Sequence, residues 1–136
     1  MAEREIGTAF QRWLGLRWER APGERAVAVV LDVRDDLRGP AGSLEGGVVS
    51  TLADVAGASA CAVEAGRLVA TEHIAISLLA PGRVGPVRAT ATVLRSGRRD
   101  AVAEVRVVDE GKDNRLMAVA LVTVRILGDQ PTADAT

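Results

Sequence analysis

The 136-residue sequence contains no tyrosine, one cysteine (Cys61) and one histidine (His73). A lone cysteine excludes an internal disulfide and a cysteine-rich zinc site. A lone histidine excludes a histidine cluster around a metal within one chain, and the absence of tyrosine removes a phenol as acid, base or nucleophile. Aromatic residues are limited to Phe10, Trp13 and Trp18, about 2% of the chain, which is too few for a base-stacking platform. Charge of one sign is not in excess: 17 Lys and Arg stand against 18 Asp and Glu, so the broad basic field of a nucleic-acid binder is missing. Long apolar runs are missing too. The nearest, Gly46 to Val63, contains Asp54 and is rich in Gly, Ala, Ser and Thr, which argues against a membrane span. The start, Met1-Ala2-Glu3-Arg4-Glu5, lacks the apolar core of a secretion signal. A soluble cytoplasmic protein, with neither nucleic acid nor membrane as partner, is the expectation.

What is present suits one folded α+β domain spanning 1–136. Hydrophobic residues make up 48%, and a chain of this length buries roughly two thirds of the surface its unfolded form exposes. The N-terminal segment 1–15 is expected to be helical around Thr8 to Leu14, with Phe10, Trp13 and Leu14 on one face. Strands are expected over Leu16 to Arg20 and Arg25 to Val33, joined at Ala21-Pro22-Gly23. Asp35 to Ser43 reads as an irregular loop. Gly46 to Glu64 carries Leu52, Val55, Ala56, Ser59 and Val63 at helical spacing and ends at Gly66, a residue suited to a C-terminal cap. This helix is made mostly of small residues, so it is expected to be buried on most sides, with Gly57 marking a close backbone approach. Four more strands are expected, at Leu68–Leu79, Val87–Leu94, Ala101–Val108 and Leu116–Leu127, followed by a polar tail, 128–136, that frays.

One long helix cannot cover both faces of such a sheet. In the last strand Leu116, Ala118, Ala120, Val122 and Val124 form one apolar set, and Met117, Val119 and Leu121 form the other. A second copy of the chain is the simplest cover, giving a homodimer or homotetramer.

The segment Leu44-Glu45-Gly46-Gly47-Val48-Val49-Ser50-Thr51-Leu52-Ala53-Asp54 resembles the helix start of hotdog-fold acyl-CoA thioesterases of the phenylacetate-degradation (PaaI-like) group. Thr71 to Pro81 resembles the strand after their central helix, and Val93 to Arg99 resembles the next hairpin. The resemblance runs from about Leu16 to Leu127. It implies a hotdog fold, in which an antiparallel sheet of five to six strands wraps one long central helix. It also implies hydrolysis of an acyl- or aryl-CoA thioester, no cofactor, and active sites shared between protomers. One position departs: where the family usually carries His before the two glycines, this chain has Glu45, which reverses the possible charge.

The resemblance assigns roles that each have a plainer counterpart. Gly46, with Gly47, opens the helix, where unpaired N–H groups suit a developing oxyanion; a simple loop-to-helix junction uses glycine as well. Asp54 matches the family's nucleophile or general base, the plainer role being a solvent-facing carboxylate. Thr71 matches a strand hydroxyl that helps to hold the attacking water, although threonine also simply favours strands. Glu45 either contacts substrate or favours the helix dipole, by about 0.3–1 kcal/mol. His73, two residues beyond Thr71, is expected on the same side as a structural or substrate-lining residue. Arg95, Arg98 and Arg99 cluster at one turn, with Arg83 and Arg88 nearby in sequence. Guanidinium forks suit the phosphates of coenzyme A, and a solvated turn explains them equally. A hotdog hydratase would need an Asp/His pair near the helix, which a single His73 does not supply. The rival from another class is a non-catalytic acyl-CoA-binding protein.

Overall fold

The computed structural model describes residues 7–23 and 25–129; residues 1–6 and the tail beyond 129 lie outside it. The elements run α1 (Ala9–Leu14), β1 (Arg17–Arg20), β2 (Ala26–Leu31), α2 (Gly46–Ala65), β3 (Arg67–Leu78), β4 (Val87–Ser96), β5 (Asp100–Asp109) and β6 (Arg115–Asp129), with short 3-10 turns at Asp35–Leu37 and Glu110–Lys112. The strands form one antiparallel sheet in the order β1-β2-β4-β5-β6-β3. The sheet curls around α2, as the resemblance implies. β6 extends through Asp129, so Gly128 belongs to a strand and not to the tail. The loop 35–43 is partly ordered, with Leu37 buried and Arg38 bridged to Leu44.

Small residues set the distance between helix and sheet. By length and hydropathy α2 could cross a membrane, yet Val49, Leu52, Ala53, Val55, Ala56, Gly57, Ala60 and Cys61 are buried against the strands. A Cβ at Gly57 would stand 2.7 Å from Cβ of Val122, so only glycine fits there. The facing strands alternate as their sequences suggest, with Val87, Ala89, Ala91, Ala101, Ala103, Val105 and Val107 all in the core. Gly66 closes α2 in the left-handed conformation, φ 64°. Burial pushes the Cys61 thiol up to about 11, so it packs as a small apolar group.

Two strand bulges alter the sequence-based picture. In β6 the pairing skips from Val107↔Ala118 to Val108↔Leu116. The extra residue, Met117, turns inward and is 1% exposed, while Leu116 leaves the core set. In β3 the pairing skips from Thr71↔Val124 to His73↔Thr123. Thr71 therefore shares the inner face with buried Val124, whereas His73 stands on the outer face. The expectation that Thr71 and His73 face the same side fails because Glu72 is the extra residue.

The outer face is not apolar throughout. Over β1, β2 and β4 it carries Arg88, ion-paired with both Glu19 and Glu110, and Arg17 paired with Asp32 at 2.9 Å. Over β6 and β3, Val119, Leu121, Ala75 and Ser77 line a shallow depression with Glu104 of β5 at its side. β3 is a sheet edge and its residues are largely exposed.

Asp109, at the end of β5, is the buried charged residue among those described, 1% exposed. Its carboxylate accepts N–H groups from Arg83, Val84 and Gly85 at 3.2, 3.2 and 2.8 Å. Burial alone would raise its pKa, but the combined N–H donors of Gly85, Val84, Arg83 and Gly111 hold it below the ordinary value. A depressed native pKa stabilises the fold above the unfolded pKa, and that contribution is lost as pH falls through the native pKa. Asp109→Asn is predicted to cost about 1–3 kcal/mol at neutral pH. In urea titrations the gap between variant and wild type should shrink below about pH 4; a gap that stays constant to pH 3 contradicts this role.

Candidate active site

The site begins at the first turn of α2. Glu45 is the N-cap residue, φ −59° and ψ 143°, and its side chain makes no capping bond. Its backbone N–H donates to Leu37 O, and that of Leu44 donates to Gly82 O, so two loops hold the helix entrance. The N–H groups of Gly46 and Gly47 meet no acceptor among the described residues. They stand at the positive end of a 20-residue helix. Leu78 lies against Gly46: a Cβ there would meet Leu78 Cδ1 at 2.9 Å, so that the end of the Leu78 side chain would have to shift. Gly47 has open space where a Cβ would be. A cavity of about 360 Å³ bordered by Leu44, Gly46, Leu78 and Pro81 lies on one side of this entrance. A second of about 480 Å³, bordered by Pro40, Glu45 and Gly47, lies on the other.

Two turns along α2, half-buried Asp54 sits on the helix stripe that the sheet leaves uncovered. Thr71 reaches it from β3, its hydroxyl donating to Asp54 Oδ1 at 2.6 Å. That bond fixes one carboxylate oxygen and leaves Oδ2 with no hydrogen-bond partner among the described residues. The inward turn of Thr71 and the outward turn of His73 share one cause, the β3 bulge. Ser50 and Thr51 direct their hydroxyls back to the carbonyls of Gly46 and Gly47, each at 2.8 Å.

Within one protomer Gly46 and Asp54 do not meet. Eight residues separate them, about 12 Å along the axis. The arginines are divided as well. Arg83 contacts the loop at the helix entrance through Ala41 O at 3.3 Å. Arg95, near the other end of β4, and Arg98 and Arg99, just beyond it, are about 30 Å away at strand rise. Arg95 is paired with Asp100 at 3.4 Å, and Arg88 is engaged by Glu19 and Glu110. Arg98 and Arg99 have no ion-pair partner among the described residues. They join Arg67, which sequence spacing does not connect to them, around a cavity of about 380 Å³. Only strand pairing brings Arg67 to that hairpin, through the β6 segment hydrogen-bonded to Arg99.

The model of the thioesterase superfamily matches residues 41–115, a segment that holds Glu45, Gly46, Gly47, Asp54, Thr71, His73 and the three hairpin arginines. The chain belongs to the thioesterase superfamily. Solved structures agree on its hotdog fold. A thioesterase from Haemophilus influenzae is 30% identical with a TM-score of 0.79, over 88% of this chain and 82% of that one. A conserved protein of Pseudomonas aeruginosa is 30% identical with a TM-score of 0.81, over 88% and 94%. The PaaI protein of Escherichia coli, from the phenylacetic acid degradation operon, is 25% identical with a TM-score of 0.82, over 92% and 88%. No curated protein matches the sequence. Within this superfamily chain the glycine pair and the Asp54–Thr71 pair are the groups able to polarise a carbonyl and to deliver a nucleophile.

Thr71 is thereby predicted to position Asp54. Thr71→Val should lower kcat on a thioester by about ten- to a hundredfold, with KM little changed, since a hydrogen bond to a charged group contributes about 1.5–3 kcal/mol. Thr71→Ser should restore the rate. Equal loss in both variants, or a loss confined to KM, contradicts the assignment.

Proposed function

We propose that the protein hydrolyses an acyl- or aryl-CoA thioester to a free acid and coenzyme A. The observation that carries this reading is the oriented carboxylate of Asp54, held through one oxygen by Thr71 on the open stripe of a thioesterase-superfamily helix. The Gly46 N–H, with Gly47 beside it, polarises the thioester carbonyl and receives the negative charge of the tetrahedral intermediate. Asp54 Oδ2 either attacks the carbonyl carbon or takes a proton from the attacking water. Where Asp54 acts as base, the intermediate collapses to the free acid and the coenzyme A thiolate, which takes up the proton from Asp54; where Asp54 attacks, loss of the thiolate leaves a mixed anhydride on Asp54 that water hydrolyses to the free acid. No cofactor enters the scheme.

The working unit is at least a dimer. The exposed edge of β3 can pair with a second copy of itself, and twofold symmetry makes that pairing antiparallel. Such pairing reverses ends, so Asp54 of one protomer approaches Gly46 of the other. It also carries Arg67, Arg98 and Arg99 toward the partner's helix entrance, where they hold the phosphates of coenzyme A. Arg83, already at that entrance, adds to the same field. The depression on β6 and β3, apolar apart from Glu104 and Ser77, gives a surface for joining two dimers into a tetramer.

Free-thiol release from a short panel of acyl- and aryl-CoA esters tests the reading. At least one ester should turn over, and Asp54→Asn should lower its rate by at least about a hundredfold, the scale of a lost general base. Sedimentation should find a dimer or tetramer at micromolar concentration. Binding of the esters without turnover would instead favour a non-catalytic acyl-CoA-binding protein, and a stable monomer would remove the shared site.

A further inference from the structure

Between Leu37 and Leu44, both buried, the chain runs through Arg38-Gly39-Pro40-Ala41-Gly42-Ser43, and none of these six side chains is buried. The segment leads into α2 and borders the cavity of about 480 Å³ beside Gly46 and Gly47. Its own backbone supplies two bonds, from Gly39 N–H to Ser43 O at 2.8 Å and from Gly42 N–H to Gly39 O at 3.0 Å. A turn of small residues without an apolar anchor has little local stability. What fastens it is the one long side chain that it contains.

Arg38 uses three nitrogens on three partners. Nε donates to Asp35 Oδ1 at 3.1 Å, Nη1 to Gly42 O at 2.6 Å and Nη2 to Arg83 O at 3.1 Å. The Asp35 carboxylate is fully exposed, and a pair of that kind contributes little. The two carbonyl bonds do more, because they join the loop before α2 to the loop before β4. A guanidinium suits this task, since its donors leave a rigid plane in fixed directions. Arg83 answers from the other loop. Its Nη1 donates to Ala41 O at 3.3 Å, while its backbone N–H is held by buried Asp109. Three carbonyls around the helix entrance, those of Ala41, Gly42 and Arg83, are thus turned onto guanidinium groups. Neither Arg38 nor Arg83 borders the cavities of about 360 and 480 Å³, so these oxygens are directed behind the cavity walls. That direction has a chemical consequence. The N–H groups of Gly46 and Gly47 lack an acceptor, and an unpaired N–H takes any carbonyl that comes within reach. A loop carbonyl swung into the entrance would occupy these donors and set its partial negative charge against a developing oxyanion.

We propose that Arg38 is a positioning residue for thioester cleavage: it holds the carbonyls of Gly42 and Arg83 away from the helix entrance and so keeps the Gly46 and Gly47 N–H groups open to the oxyanion. The inference rests on the thioester-cleaving reading and adds to it a residue that touches no substrate and acts through the loop in front of the donors.

The test combines kinetics on an ester that the intact wild-type protein cleaves with amide hydrogen exchange. Arg38→Met keeps the length of the side chain and removes its donors. Deleting an oxyanion donor outright costs about a hundredfold or more, and disturbing its surroundings should cost about tenfold in kcat. KM should change less than about twofold, because charge on the carbonyl oxygen grows only toward the transition state. Exchange should quicken at Gly39, Gly42, Leu44 and Glu45, whose N–H groups are bonded in the wild type, and stay unchanged over residues 49–61. Millimolar guanidinium should restore part of the kcat of Arg38→Ala and leave the wild type unaffected. Asp35→Ala, which keeps both carbonyl bonds, should retain the wild-type kcat. If Arg38→Met does not fold, the same split is read in Arg38→Lys, whose single ammonium lacks the fork that spans both carbonyls. An unchanged kcat overturns the proposal. So does a loss confined to KM, or an equal loss in Asp35→Ala. Faster exchange throughout α2 overturns it as well, since Arg38 would then support the whole fold. In each of these cases wild-type turnover leaves the thioester reading standing. If the wild type cleaves no ester, that reading fails and this inference falls with it.

Discussion

Gly57 meets Val122 with no room for a single methyl group between them. That close approach of α2 to the sheet is the constraint on which the remaining geometry depends. Because the helix faces the strands with Ala53, Ala56, Gly57 and Ala60, it sinks into the curl of the sheet until buried residues cover most of its circumference. One stripe remains, between the edge at β1 and the edge at β3. Asp54 lies on that stripe, within reach of Thr71 from β3, while Ser59 accepts the Trp18 indole N–H from β1 at 3.1 Å. A bulkier helix face would ride higher and separate Asp54 from Thr71. The spacing that packs the core is also the spacing that brings Asp54 and Thr71 together.

A second constraint fixes the helix entrance. Asp109 is buried at the end of β5 and collects the N–H groups of residues 83–85. The adjoining Gly82 carbonyl accepts from Leu44, and Leu37 O accepts from Glu45, so the residues before Gly46 are held from two sides. Met117, turned inward by the β6 bulge, packs on Gly82 from below: a Cβ there would stand 2.4 Å from its methyl. The open N–H groups of Gly46 and Gly47 therefore rest on a rigid support. Rigid donors suit charge stabilisation, because they need no reorganisation as the oxyanion forms.

Much of this was legible in the sequence where a periodic pattern or a terminating residue carries the information. The span of α2 follows from its apolar spacing and Gly66, the hairpin β4–β5 from alternation broken at Gly97, and the glycine pair with Asp54 from their family-like spacing. The unread parts are those in which one residue changes the phase of a strand. Glu72 and Met117 look like ordinary members of alternating runs, and nothing local marks them as the extra residue. For that reason His73 does not face the same side as Thr71, and Met117 rather than Leu116 joins Ala118 and Ala120 in the core. Long-range neighbours were equally hidden: Arg67 joins Arg98 and Arg99 only through the β3–β6 ladder and the Arg99 hydrogen bond to Ile126. The pattern of α1 predicts a helical face for Phe10, Trp13 and Leu14, but only the fold shows that Leu14 alone is buried.

In the proposed thioesterase a complete site takes Gly46 from one protomer and Asp54 from the other. Two inactive variants isolate the halves. Asp54→Asn removes the carboxylate, and Gly46→Pro removes the N–H. Proline suits the first position of a helix, and Glu45 already has the extended backbone, ψ 143°, that a residue before proline prefers. The clash with Leu78 Cδ1 involves the end of a flexible side chain. Co-refolding the two variants in equal amounts and measuring thiol release should restore activity, because each mixed dimer holds one site with both groups intact. About a quarter of the wild-type rate is expected for random pairing, half the dimers each carrying one intact site of two. Mixed dimers that form, yet stay as inactive as either parent, would contradict the shared site.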